Sequence, residues 1–315
     1  MRFFAKIVAA TALATLMQSP VQALFKTPAA FAQTAPETAG TEAALVKMNT
    51  YVEFLNRALR ASESLQRYAS WVDMKKGPTG KERIIYGLYS LYDVRSEIDA
   101  VKAASKQEPA FPELDTAMSA FVETYQQLAP AIERANKYYE RQDYKSDKMA
   151  GGKALHAEIA ALAPVYLERR KTVDAALRTE KVRLDRDALA ALEKAEGKKS
   201  RWHVRNVMLH AEAMMDLMPS NETPVVDMTA FDKALGEFAA AVREFDDYSL
   251  QHPNSFHVFE SRPASLLSKL REFDEKLGKA KGDARKGAGE DLTWLVSDYN
   301  LMVTTAETAT EFADD

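Results

Sequence analysis

The stretch YYERQDYKSDKMAGGKALH, from Tyr138 to His156, gathers side chains that could do chemistry. Tyr138, Tyr139 and Tyr144 offer apolar rings with polar tips. Asp143, Lys145, Asp147 and Lys153 add charge of both signs, and His156 adds an imidazole. Gly151-Gly152 lets the backbone turn tightly, and amides opening a helix after Gly152 could hold an anion. This pattern suits a polar binding surface for a glycan, a peptide or an anionic ligand. It equally suits a long helix–helix connection whose tyrosines pin a turn to the core.

A second group flanks the turn Gly77-Pro78-Thr79-Gly80. Trp71 precedes it, with Lys81, Glu82 and Arg83 after it, which suits a corner that docks a partner through Trp71, Lys81 and Arg83. The alternative is an inward-packed Trp71 with charges that cap and solubilise. For a metal, His203, Met208, His210, Met214, Met215 and Met218 are the candidates, and imidazole with thioether would suit copper(I). Methionines at helical spacing are more often core filler, so no metal and no cofactor is expected. His156 with Glu158 lacks the second histidine of a zinc helix motif. There is no Gly-x-Ser-x-Gly elbow and no phosphate-binding Gly-x-x-x-x-Gly-Lys loop.

Helices must position these groups. Leu114, Met118, Phe121, Tyr125, Leu128, Ile132, Ala135 and Tyr139 follow each other in steps of four and three, a heptad seam. The same period predicts a first helix from Leu45 to about Val72, a second through Ile84, Leu88, Leu91, Val94, Ile98 and Val101, and a fourth from Leu155 through Leu177. A fifth carries Val204, Met208, Ala211, Met215 and Met218; a sixth Phe231 to Phe245; a seventh Leu266 to Leu277; and an eighth Leu292 to Met302. Thr79 and Glu82 form a capping box that could restart a helix after the turn. Pro130 and Pro164 lie inside helical patterns, equidistant from Asp147. The fold class is all-α, an antiparallel bundle of about eight helices, divisible into two stacked sub-bundles with Gly197 as the seam.

The N-terminus carries Arg2 and Lys6, then the apolar run Ile7–Met17, which is too short to span a bilayer. This is the layout of a secretory signal peptide over residues 1–32, with an alternative end at 23. A flexible leader over 33–43 and a helical domain over 44–312 follow. The formal net charge of -4 becomes more negative by three when Arg2, Lys6 and Lys26 are removed. That balance argues against a nucleic-acid partner. Cysteine is absent, which excludes disulfides, thiolate metal sites, cysteine nucleophiles and a lipidated cysteine. No transmembrane segment is expected in the mature chain.

The runs RYASWVDMKKGPTGKERIIYGLYSLYD (Arg67 to Asp93), YYERQDYKSDKMAGGKALHAE and ALEKAEGKKSRWHVRNVM (Ala191 to Met208) resemble blocks of the YiiG-like family of bacterial envelope lipoproteins, a domain family of unknown function. The resemblance implies an exported helical envelope domain and supplies no catalytic residues. The lipidated cysteine typical of that family is missing here, which points to a free periplasmic protein. The expected role is a non-catalytic envelope module that binds a ligand or protein partner. An envelope hydrolase and a periplasmic copper binder are the alternatives.

Overall fold

The computed structural model describes residues 39–220 and 223–311, so the expected signal peptide lies outside the described residues. Eight α-helices follow one another among the described residues: α1 (Ala39–Ala69), α2 (Arg95–Ala104), α3 (Pro112–Glu140), α4 (Ala150–Glu196), α5 (Ser200–Asp216), α6 (Met228–Gln251), α7 (Arg262–Lys279) and α8 (Gly289–Glu311). None is long and apolar enough to cross a membrane. The all-α expectation holds. The chain divides between Lys181 and Val182 into two units, upstream of Gly197, which follows the last residue of α4 with φ +81°. α1 already begins at Ala39, inside the segment read as a leader, and Glu42 stands in its first turn where the helix dipole favours a negative charge.

In the first unit the heptad stripe of α3 is buried from Leu114 to Tyr139. It packs on Tyr51, Phe54, Leu55 and Ala58 of α1 and on Tyr166 of α4, with Phe54 edge-on to Phe121 at 5.8 Å and Phe121 5.2 Å from Tyr166. Pro130 and Pro164 both lie inside their helices. Lys47 is buried and fully bonded: its Nζ donates to the Gln107 and Pro109 carbonyls at 3.0 and 3.1 Å and to Asp115 Oδ2 at 2.8 Å. Asp115 also accepts from the Tyr51 hydroxyl at 2.5 Å and the Phe111 amide at 2.9 Å. A buried ammonium is tolerated only with such complete pairing.

The predicted second helix is the main correction. Only Arg95–Ala104 is helical, and residues 83–94 run as a strap without helix or strand. The capping-box pair forms, with Glu82 Oε1 accepting the Thr79 amide at 2.5 Å, but it closes a turn and no helix follows. The strap's polar backbone groups are met by side chains. Arg67 donates to the Tyr86 carbonyl through Nε and Nη2 at 3.0 and 2.7 Å, Arg60 to Ser90 O at 3.3 Å and Arg57 to Asp93 O at 3.1 Å. Ser64 Oγ and residue Tyr89 exchange two hydrogen bonds, and the Leu91 amide donates to Glu133 at 2.6 Å.

The period explains the misreading. Tyr86, Tyr89 and Tyr92 recur every third residue, as in an extended polyproline-type chain, and steps of three also belong to the helical pattern. Arg60 lies over Tyr89 at 4.0 Å and over Tyr92 at 5.9 Å, and Arg67 over Tyr89 at 4.4 Å. The arginine row of α1 meets the tyrosine row of the strap through these contacts, and Gly87, with φ +66°, turns the chain between Tyr86 and Tyr89.

The second unit has its own core, which includes Phe231, Phe238, Phe245, Leu266, Leu270, Phe273, Leu277, Leu295 and Met302. The stripe on α5 is Val204, Val207, Ala211 and Met214; Met208 and Met218 are only partly buried. Phe256 and Phe259, in the loop between α6 and α7, turn into the core against Phe245 at 4.4 and 5.5 Å.

Candidate functional site

Tyr138 and Tyr139 are the last buried residues of α3. Past them the chain reverses through Gln142, Lys148 and Met149, all with positive φ. The expectation that Gly151-Gly152 makes the turn is therefore corrected: both glycines sit in the first turn of α4 and neither has a positive φ. Their role is clearance. A Cβ on Gly151 would lie 2.8 Å from the Tyr138 ring, and one on Gly152 would lie 2.6 Å from Met149 Sδ and 3.0 Å from the Tyr139 hydroxyl. Only a hydrogen leaves room for the tyrosines there.

The start of α4 is closed by the chain itself. Asp147 accepts the Met149 amide at 2.9 Å and the Gly151 amide at 2.8 Å, and accepts a hydrogen bond from the Tyr138 hydroxyl at 2.9 Å. The Gly151 amide, foremost, holds the Asp147 carboxyl below its ordinary range. The helix-start amides proposed for an anion thus have a carboxylate of their own. Asp143 receives the Arg141 guanidinium at 2.7 and 3.0 Å, Tyr144 is half-buried against Tyr139 at 6.2 Å, and Lys145 and Lys153 are exposed.

Behind this turn lies an aromatic knot that includes the end of α1. Tyr139 meets Trp71 edge-on at 5.0 Å and Tyr68 at 6.2 Å, and Tyr68 meets Trp71 at 5.4 Å. Tyr68 Oη is 3.2 Å from His156 Nδ1. The Trp71 indole donates to the Gly87 carbonyl at 3.0 Å, tying the strap to the knot. A Cβ on Gly77 would lie 2.7 Å from the His156 ring. The structure thus brings Tyr138, Tyr139, Tyr144, Asp147, His156 and Trp71 together, adds Tyr68, and leaves Lys145 and Lys153 at the rim.

Burial sets the electrostatics. It pushes the Tyr68 and Tyr138 phenols each up to about 12 and raises Tyr139 as well. It lowers His156, whose imidazole is neutral at pH 7. Three protonated phenols and a neutral, packed imidazole make a rigid joint.

Open surface lies next to the knot. Ser70, Trp71, Glu82, Arg83, Ile84 and Tyr86 line a depression of about 250 Å³. Ile84 is 43% exposed and Tyr86 49%. Trp71 and Arg83 of the expected docking corner border it, and Lys81 is exposed beside it. A helical reading of 84–101 hides Ile84 and Tyr86, and the three-residue tyrosine repeat is the signal in the sequence for the strap that exposes them. Among the metal candidates, His203 is buried 4.3 Å from the Tyr248 ring, His210 bonds the Asn206 carbonyl of its own helix at 2.8 Å, and Met214 is in the core. No group of three or more His, Asp or Glu residues suited to a metal occurs among the described residues.

The chain belongs to the family described as "Protein of unknown function (DUF3829)", whose model matches residues 42–310. It is 26% identical over 271 residues to the "Uncharacterized protein YiiG" of Escherichia coli (strain K12), covering 82% of this chain and 76% of that one. The expected YiiG-like kinship is thereby established. No solved structure matches the chain.

Proposed function

We propose that the protein is an exported, non-catalytic recognition module of the bacterial cell envelope, which docks a protein partner through the corner between the end of α1 and the strap. One observation carries this reading. Trp71, Ile84 and Tyr86 surround an open depression with Arg83 at its edge, whereas the neighbouring tyrosine knot leaves no room even for a Cβ at Gly77, Gly151 or Gly152. Tryptophan, tyrosine and arginine are the residue types that dominate binding energy at protein interfaces. The knot is the rigid base beneath that surface, because Trp71 belongs to both and its indole fixes the strap at Gly87. The signal-like N-terminus supports a periplasmic location, and the lack of cysteine supports a free protein over a lipid-anchored one.

The test is a photo-crosslinking amino acid placed at Ile84 in the full chain expressed in cells, with the same group at exposed Val165 as control. A discrete adduct from position 84 alone is expected, in the periplasmic fraction. No adduct at 84, or equal adducts from both positions, would overturn the proposal.

A further inference from the structure

The docking corner carries more positive charge than it neutralises. From Arg67 to Arg83 the chain holds Arg67, Lys75, Lys76, Lys81 and Arg83 against Asp73 and Glu82. Both acids are turned into the loop. Asp73 Oδ1 accepts the Lys75 and Lys76 amides at 2.9 and 3.2 Å. Glu82 accepts the Thr79 amide, the Thr79 hydroxyl and the Gly80 amide at 2.5, 2.8 and 2.8 Å. Amides therefore satisfy carboxylates that would otherwise pair with the nearby cations. Lys76 keeps a long contact to Asp73 at 3.8 Å, and Arg67 is held by the Tyr86 carbonyl. Lys75, Lys81 and Arg83 are exposed; Lys75 feels Asp73 only at longer range than an ion pair, and Lys81 and Arg83 make no ion pair with any described residue.

We infer that this corner recognises an acidic protein segment bearing one apolar side chain. Its carboxylates meet Lys75, Lys81 and Arg83, and its apolar side chain fills the depression against Trp71, Ile84 and Tyr86. The inference rests on the docking reading above and adds the chemistry of the partner. Charge complementarity supports it: the chain is acidic overall, with a formal net charge of -4, yet charges beyond about 8 Å are screened in physiological salt. A partner at this corner feels the local cations. The volume of about 250 Å³ suits one bulky side chain. A broad polyanion would instead call for an extended basic face.

The experiment has two arms, both on the full chain. In the first, a fluorescein-labelled dodecapeptide of Asp, Glu and Ala with one central Phe is titrated by anisotropy, beside the same peptide with Asn and Gln in place of the acids. The acidic peptide is expected to bind and to weaken about tenfold in the K75Q/K81Q/R83Q variant, the combined effect of three surface ion pairs of ordinary strength. A circular-dichroism melt checks that the variant is folded. Equal binding of both peptides, no binding of the acidic one, or an unchanged affinity in the variant would overturn the inference. In the second arm, the partner segment crosslinked at position 84 is mapped by mass spectrometry. A net acidic segment supports the inference; a neutral or basic one overturns it while leaving the docking reading intact. Absence of any adduct defeats the docking reading itself.

Discussion

Alanine at Gly152 gives the sharpest test of the packed joint, because two opposed effects predict opposite signs. In an ordinary exposed helix, Gly→Ala stabilises by about 0.8–1 kcal/mol through backbone entropy. At Gly152 the new Cβ would stand 2.6 Å from Met149 Sδ, 3.0 Å from the Tyr139 hydroxyl and 3.1 Å from the Tyr138 ring. The sulfur could shift, but Met149 is itself buried with φ +70°, and both tyrosine rings are held in the knot. Overpacking of this kind costs about 1–3 kcal/mol, so the steric effect wins and G152A is destabilising by about 1 kcal/mol net. Gly236 is the internal control: it is exposed on α6, and nothing lies within 4 Å of its Cβ position. G236A is expected to stabilise by somewhat under 1 kcal/mol. Urea denaturation followed by circular dichroism measures both, and a background with Trp202 and Trp294 replaced by Phe leaves Trp71 as the fluorescent reporter of the first unit. If G152A proves as stabilising as G236A, the two glycines do not serve clearance and the joint is looser than described.

Three further outcomes follow from named contacts. Lys47→Met strands Asp115 and two loop carbonyls without their ammonium and is expected to cost about 3–5 kcal/mol, as for other broken buried pairs; a loss below about 1 kcal/mol in a urea titration would contradict the assigned clamp. His156 has a lowered pKa from burial, so the unfolded chain takes up its proton first as pH falls below about 6.5. Stability is full above that pH and declines until the lower folded pKa is reached, and the decline between pH 7.5 and 5.5 should be shallower in H156Q; identical slopes would remove His156 from the account. Arg67→Met removes two hydrogen bonds to the Tyr86 carbonyl and the cation over Tyr89, and should speed tryptic cleavage after Lys81 and Arg83 several-fold while leaving helix content unchanged; unaltered cleavage would show that the strap is held by other contacts.

Much of the architecture is written locally. Each side chain of the α3 stripe lies three or four residues from the next, so a regular helix collects them on one face and the core follows. The sixth and seventh helices were legible for the same reason: Phe231 to Phe245 and Leu266 to Leu277 are buried as their spacing predicts. The candidate site was legible as a neighbourhood. Tyr138, Tyr139, Tyr144, Asp147 and His156 do converge, and Trp71 joins them.

By itself, then, the sequence determined the helical class, the seams of the bundle and the residues that crowd the α3–α4 joint, since all of these depend on neighbours one helical turn away. Only the tertiary structure decided that residues 83–94 leave the helix. A step of three fits both a helix and an extended chain, and what selects between them is a row of arginines about twenty residues upstream or more that satisfies the strap's carbonyls. The tertiary structure likewise assigned Gly151 and Gly152 to clearance. A glycine's local signature is the same whether it frees a φ angle or admits a ring, and the ring comes from another helix.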